Sequence, residues 1–316
     1  MHTLRRLGLV ALFLGFAQVV FGAVVRITGS GLGCGDHWPD CYGTYTPADR
    51  GVALLIEISH RYGAAALSIA VLALFITAWM KRDSENTRGS GGALAPAVAA
   101  LALVIIAALF GAATVKLGLA TWVVVTHLAI AMSLLAVLVE VIVRAGGFTR
   151  RPLARPADAS RSLKSARVAL ALAFLTLIFG ALTANTPGAP VACGGFPWCR
   201  TGMTSGTPLI IQITHRILAL LLVGHLTGMM ISARKREPGS AVARAATAAL
   251  IVAVIQLLVG AALVEMHLPM SLRSFHQAMG TLVWIVVAST HSLARPRGTK
   301  GSLVTEARRS AATQPS

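Results

Sequence analysis

Glu57-Ile58-Ser59-His60-Arg61 stands ahead of an apolar run, Ile69 to Met80, that carries no charge until Lys81. The carboxylate and the imidazole are three residues apart, so on a helix they share one face. The phrase returns as Gln212-Ile213-Thr214-His215-Arg216, again leading into an apolar run. An ionisable residue at the mouth of a membrane helix marks a functional position. The chain is read as built twice around this phrase, with the two copies differing at the carboxylate.

Outward from these phrases, apolar blocks occupy roughly 7–26, 57–80, 94–116, 121–144, 167–186, 209–232, 244–264 and 272–293. Each is long enough to cross a hydrocarbon core of about 30 Å as a helix. Backbone groups in lipid must be satisfied internally, and the period of two that marks a barrel strand is absent, so helices are expected. A chain with 55% hydrophobic and 12% charged residues is not a water-soluble globular domain. The first block lacks a small-residue cleavage site and is read as a retained helix rather than a signal peptide.

The net charge of +17 suggests nucleic acid until the charges are placed. Most of the 28 Lys and Arg residues fall in the termini and in alternate loops. That asymmetry predicts both termini in the cytoplasm, and anionic lipid headgroups are the natural partner of the charge. Nucleic acid is excluded as a partner, since no aromatic-basic motif accompanies the charge.

The repeat extends beyond one phrase. Phe21-Gly22-Ala23 matches Phe179-Gly180-Ala181, Cys34 and Cys41 match Cys193 and Cys199, Phe110-Gly111-Ala112 matches Val259-Gly260-Ala261, and His127 matches His276, with the offset drifting only from 158 to 149. Four helices per half make the repeats parallel. The expected fold is all-α and integral to the membrane: eight transmembrane helices in two four-helix bundles, related by a pseudo-two-fold axis along the membrane normal. The expected divisions are an N-terminal bundle over 1–144, a cytoplasmic linker over 145–166, a C-terminal bundle over 167–294 and a disordered cytoplasmic tail over 295–316.

Four histidines recur at matched depth: His60 and His127, then His215 and His276. One such histidine alone is an ordinary interfacial polar residue. Two on facing helices can clamp a metal or a haem iron from both sides. A bare zinc or copper ion wants three or four protein ligands, whereas two axial ligands suit a porphyrin, which brings the other four. Gly63 and Gly111, with the alanines after them, leave room for a flat ring or allow close helix packing. His2, His37, His225, His267 and His291 lack the repeat pattern and are read as structural or solvated.

The cysteines form two pairs in the outer loops, Cys34 with Cys41 and Cys193 with Cys199. In an oxidising compartment these become loop disulfides. They then act as staples or exchange with a thiol partner; metal binding by Asp36 to Asp40 is a third reading. Glu57 faces Gln212 across the repeat. A carboxylate one turn from a ligating histidine can relay protons or stabilise positive charge; the alternative is a simple ion pair with Arg61. The first half is therefore the better candidate for chemistry and the second for a resident cofactor. Arg61 and Arg216 suit haem propionates, because a guanidinium fork fits a carboxylate.

Together these motifs resemble the haem A synthase family over about residues 5–293. The resemblance implies oxidation of the C8 methyl of haem O to a formyl group, by successive hydroxylations, to give haem A for terminal oxidases. It implies a haem b held by His215 and His276, substrate haem O at His60 and His127, catalytic roles for Glu57, Cys34 and Cys41, and a structural disulfide at Cys193–Cys199. The implied setting is a bacterial cell membrane, with the cysteine loops and haem sites toward the outer face. The implied partners are haem O and haem A, lipid, haem O synthase, oxidase assembly factors and a second copy of the chain. Two other classes fit part of the pattern: a bis-histidine b-type electron-transfer cytochrome and a haem transporter.

Overall fold

The structure, a computed structural model, describes residues 1–44, 51–88, 91–146, 156–200 and 204–295. Eight long helices dominate it: α1 (His2–Ile27), α2 (Val52–Met80), α3 (Leu94–Lys116), α4 (Thr121–Arg144), α5 (Pro156–Asn185), α6 (Thr207–Arg236), α7 (Ala241–Glu265) and α8 (Met270–Ala294). A single helical turn, Glu85–Arg88, precedes α3. Among the described residues there is no strand, only an isolated bridge between Cys41 and Thr44. The chain is a multi-pass membrane protein: α1 to α7 are each long and apolar enough to cross a bilayer. Their large apolar side chains, Phe13, Ile69, Leu109 and Leu258 among them, face outward, which suits hydrocarbon rather than water.

The eighth apolar block differs from its expectation. α8 falls short of the hydropathy a lone spanning helix needs, because Arg273, His276, Gln277 and His291 interrupt it. The packing supplies the reason. α8 touches α1, α4, α5 and α7, and it buries Thr281, Thr290 and Ser292 along with Trp284 and Val287. A helix enclosed by other helices tolerates polarity that a lipid-facing one does not.

α5 also starts earlier than expected, at Pro156 rather than 167. Its first turns are held by packing rather than by lipid: the Ser162 hydroxyl donates to Glu237 at 2.6 Å, and both residues are buried. Most of the remaining linker (147–155) and the tail (296–316) lie outside the described residues.

α1 packs on α2 and α4, and α3 closes the ring between α2 and α4. α5, α6, α7 and α8 make a second ring in the same order. The rings meet where α1 and α4 press on α8 and where α4 touches α5. At that seam Trp284 Nε1 donates to the Met132 carbonyl at 2.7 Å. At its far end Glu140 of α4 accepts from Arg144 at 2.6 Å and from Arg295 at 3.1 Å, tying α4 to the end of α8.

The short turns repeat in detail. Gly118 and Leu119 join α3 to α4 with φ near +60°, and His267 and Leu268 do the same between α7 and α8. Each turn closes with a matched bond, Leu119 N–H to Thr114 O at 2.8 Å and Leu268 N–H to Leu263 O at 2.9 Å. His267 is thus a turn residue, as its position between two apolar blocks suggested.

Candidate functional site

His60 and His215 each stand eight residues into their helix, and His127 and His276 each stand six residues in. At 1.5 Å per residue all four lie roughly 9–12 Å below the loop-bearing end. His215 and His276 face each other with ring centroids 6.5 Å apart, nearly perpendicular. A metal–imidazole bond is about 2 Å, so two rings on opposite sides of one metal atom put their centroids roughly 6 Å apart. The pair can flank one metal.

The repeated glycines explain themselves here. A Cβ on Gly22 would lie 3.1 Å from His60 Cε1; on Gly180, 2.9 Å from His215 Cε1; on Gly260, 3.1 Å from His276 Cε1; on Gly111, 3.5 Å from His127 Cε1. Each imidazole is seated on a glycine of the preceding helix. The sequence showed these glycines as repeat markers but not as seats.

A cavity of about 440 Å³ opens among α5, α6, α7 and α8, the size of a small-molecule site. His215 and His276 line it. Arg26, Arg216 and Arg273 supply its positive charge, and Leu128 of α4, next to His127, forms part of its wall. Arg26 and Arg273 escaped the sequence reading because neither has a basic counterpart in the repeat. The carbonyl oxygens of Gln212 and Gln256 are buried without partners, and both residues border the cavity. His215 Nδ1 is 3.0 Å from the Thr176 carbonyl, which leaves Nε2 for another ligand.

Both cysteine pairs are closed as disulfides, with Cα–Cα distances of 5.0 Å for Cys34–Cys41 and 4.9 Å for Cys193–Cys199. A proline with a cis peptide bond precedes the second cysteine in each loop, Pro39 and Pro197. Cys34, Cys41 and Cys193 are buried and Cys199 is half-buried. Among the described residues no three of His, Cys, Asp and Glu come together to hold a metal ion, so the metal reading of Asp36 to Asp40 gains no support. His37 instead packs on the Tyr42 ring at 4.9 Å.

The two arginines clamp these loops. Arg61 donates to the carbonyls of His37, Pro39 and Asp40. Arg216 donates to those of Cys193, Gly195 and Pro197. Glu57, 4% exposed, is paired with Arg61 and accepts the Cys34 N–H at 2.8 Å. The carboxylate therefore reaches up to the first disulfide, and the ion-pair reading holds alongside any other role. Gln212 in the same place donates to the Pro190 carbonyl at 3.1 Å. A second anchor comes from the end of the third helix of each ring: Lys116 lies 4.0 Å from Asp36, and Glu265 pairs with Arg200 and accepts the Phe196 N–H.

Two glutamines were also missed. Gln18 Nε2 lies 2.9 Å from His60 Nδ1, and Gln256 Nε2 lies 3.2 Å from His276 Nδ1. Each occurs once in the duplicated chain, so no repeat drew attention to it.

The family model of cytochrome oxidase assembly proteins, COX15-CtaA, matches residues 5–52 and 48–288. The chain belongs to this family. Among curated members, haem A synthase of Alkalihalophilus pseudofirmus is 29% identical over 212 residues, covering 66% of this chain and 69% of that protein. Haem A synthase of Bacillus pumilus is 29% identical over 237 residues, covering 73% and 75%. Haem A synthase of Bacillus mycoides is 24% identical over 289 residues, covering 89% and 91%. The COX15-CtaA match thus takes in all four repeated histidines, both loops and the Glu57–Arg61 pair.

Proposed function

We propose that this protein is a haem A synthase, which oxidises the C8 methyl group of haem O to a formyl group and so provides haem A for terminal oxidases. The observation that carries the reading is the set of four histidines at matched depth, each seated on a glycine, in a chain of this family. In this reading His215 and His276 hold a haem b. The fit rests on the 6.5 Å ring spacing, the cavity they share and the partnerless glutamine oxygens facing it. When bound, that group supplies one-electron redox chemistry. Arg26, Arg216 and Arg273 are the cations for its propionates. Arg61 and Arg216 each also hold three loop carbonyls, so each ties its loop to the site as well as offering charge to a propionate.

Haem O is then the substrate of the first ring, held by His60 and His127. Methyl to formyl is two hydroxylations, each a net two-electron oxidation at the expense of an external oxidant: first to the alcohol, then to the hydrated aldehyde, which loses water. Glu57 is the titratable group available beside this site, and Gln212 has no such capacity. Cys34 and Cys41 act through Glu57, because their loop supplies the N–H that positions its carboxylate. The Cys193–Cys199 bridge staples the second loop.

The same order of helix neighbours in each ring and the matched turns support two parallel repeats related by an axis along the membrane normal, divided near residues 145–166. Arginines and lysines gather at the end opposite the disulfides. That supports a bacterial cell membrane location with both termini cytoplasmic and the disulfide loops and haem sites outward. Haem O synthase, oxidase assembly factors and a second copy of the chain are the partners such a role calls for.

The test is to co-express the chain with a source of haem O, purify it in detergent, extract its haems and separate them by chromatography, beside a reduced-minus-oxidised spectrum. Haem B together with haem O, haem A or the alcohol is the expected result. Haem B alone at two per chain would replace the proposal with an electron-transfer cytochrome. No haem at all would favour a transporter.

A further inference from the structure

We propose that Gln18 and Gln256 are positioning residues of the two haem sites, each governing one histidine of its pair: Gln18 on α1 governs His60, and Gln256 on α7 governs His276. The inference rests on the haem reading above and goes beyond it, since neither glutamine belongs to a repeated motif.

The contacts are alike in the two rings. Gln18 Nε2 lies 2.9 Å from Nδ1 and 3.3 Å from Nε2 of His60, and it donates to the His60 carbonyl at 2.7 Å. Gln256 Nε2 lies 3.2 Å and 3.3 Å from the corresponding atoms of His276, and it donates to the His276 carbonyl at 3.0 Å. Each amide therefore grips both ring and main chain of one histidine.

Space is left for each amide. One turn beyond His60, a Cβ on Gly63 would stand 2.3 Å from Gln18 Oε1; one turn beyond His276, a Cβ on Gly280 would stand 3.2 Å from Gln256 Nε2. The histidine helix omits a side chain where the glutamine enters.

The positions equivalent by repeat carry no amide. Thr176 occupies the place of Gln18 in the second half, and its main-chain carbonyl meets His215 Nδ1 at 3.0 Å. Ala107 occupies the place of Gln256 in the first half, and His127 Nδ1 is buried without a hydrogen-bond partner. Each pair thus has one ring gripped by a side-chain amide and one that is not. The amide partner is the α2 histidine in the first ring and the α8 histidine in the second.

The chemistry gives the amide a task. A neutral imidazole that offers Nε2 to iron carries its proton on Nδ1, and that N–H needs an acceptor. A half-turn of the amide exchanges its donation to the main-chain carbonyl for acceptance of the Nδ1–H by the glutamine oxygen. In Gln256 that oxygen is buried and without a partner, waiting for a donor. A main-chain carbonyl cannot turn, so only His60 and His276 have an adjustable partner.

The test uses the full-length protein purified with its haem, comparing Gln256→Leu, Gln256→Glu, Gln18→Leu and Gln18→Glu with the parent. Readouts are haem b affinity, measured by transfer to an excess of haem acceptor protein, the midpoint potential of the resident haem, haem O binding to the first site, and thermal unfolding. Loss of such a partner typically weakens metal-site affinity about 10- to 100-fold. Gln256→Leu is expected to weaken haem b retention by that factor. Gln256→Glu is expected to keep the haem and lower its midpoint potential, because a carboxylate on Nδ1–H enriches the ligand. The Gln18 variants are expected to leave that potential alone and weaken haem O binding. Should Gln256→Leu fail to fold, the potential of Gln256→Glu decides. Unchanged affinity in Gln256→Leu, or an unchanged potential in Gln256→Glu, would overturn the proposal. Retention of haem b by His215→Ala and His276→Ala would instead overturn the haem reading beneath it.

Discussion

Gly180 and His215 show how little room each ring has. A methyl group at Gly180 would stand 2.9 Å from the imidazole, closer than real carbon contacts allow, so the ring must shift. Gly180→Ala is expected to lower the haem-to-protein ratio several-fold, while Gly111→Ala, whose Cβ would meet His127 at an ordinary 3.5 Å, is expected to be tolerated. Haem content of the purified variants checks both. Glu57→Gln makes the first half resemble the second, where Gln212 already sits buried beside an arginine-clamped loop. Thermal stability and haem content should stay near the parent, and product should be lost. Full product yield would remove Glu57 from the chemistry. At this scale the four histidines were legible because duplication printed them twice. Gln18 and Gln256 were not, because each works on a different member of the pair and so breaks the repeat. Arg61 and Arg216 were legible as important, but their carbonyl partners follow from the path of the loops, which composition does not reveal.

Among the elements, the two disulfide loops look alike and should respond differently. Each disulfide closes a short loop, for which chain entropy suggests about 2 kcal/mol of stability. Replacing Cys193 and Cys199 by serine is expected to cost roughly that much, read as a lower unfolding temperature, with product formation retained. The same change at Cys34 and Cys41 also loosens the N–H that Glu57 accepts. It is expected to lose product as well as stability, and haem chromatography separates the two cases. The seam between the rings offers a further check. Glu140→Gln weakens the ties from Arg144 and Arg295 and should cost about 1 kcal/mol, since the pairs are partly open to solvent. Helix number and approximate span were legible from the apolar blocks. The early start of α5 was not, because the buried bond from Ser162 to Glu237 lies in a stretch whose composition is polar.

For the molecule as a whole, the proposed orientation makes a direct prediction. A cysteine placed at Trp198, which is 79% exposed in the second loop, should react with a membrane-impermeant maleimide added outside intact cells. One placed at Arg82, at the opposite end, should react only after the membrane is opened. The reverse pattern would invert the topology. The pairing of helices into two rings was legible from the repeat, yet the seam was not, because its contacts, such as Trp284 with Met132, lie between residues with no repeat relation. The polarity of α8 has a consequence for how the chain is made. Seven of the eight long helices have the length and composition of a segment that crosses lipid on its own, and α8 does not. Arg273 and His276 penalise its passage alone by a few kcal/mol. Its entry therefore depends on α7, to which the tight turn at His267 and Leu268 joins it, and on the groove that α1, α4 and α5 have already formed. His276 enters with that helix, so the pair of His215 and His276 cannot meet before α8 is seated against α5 and α7.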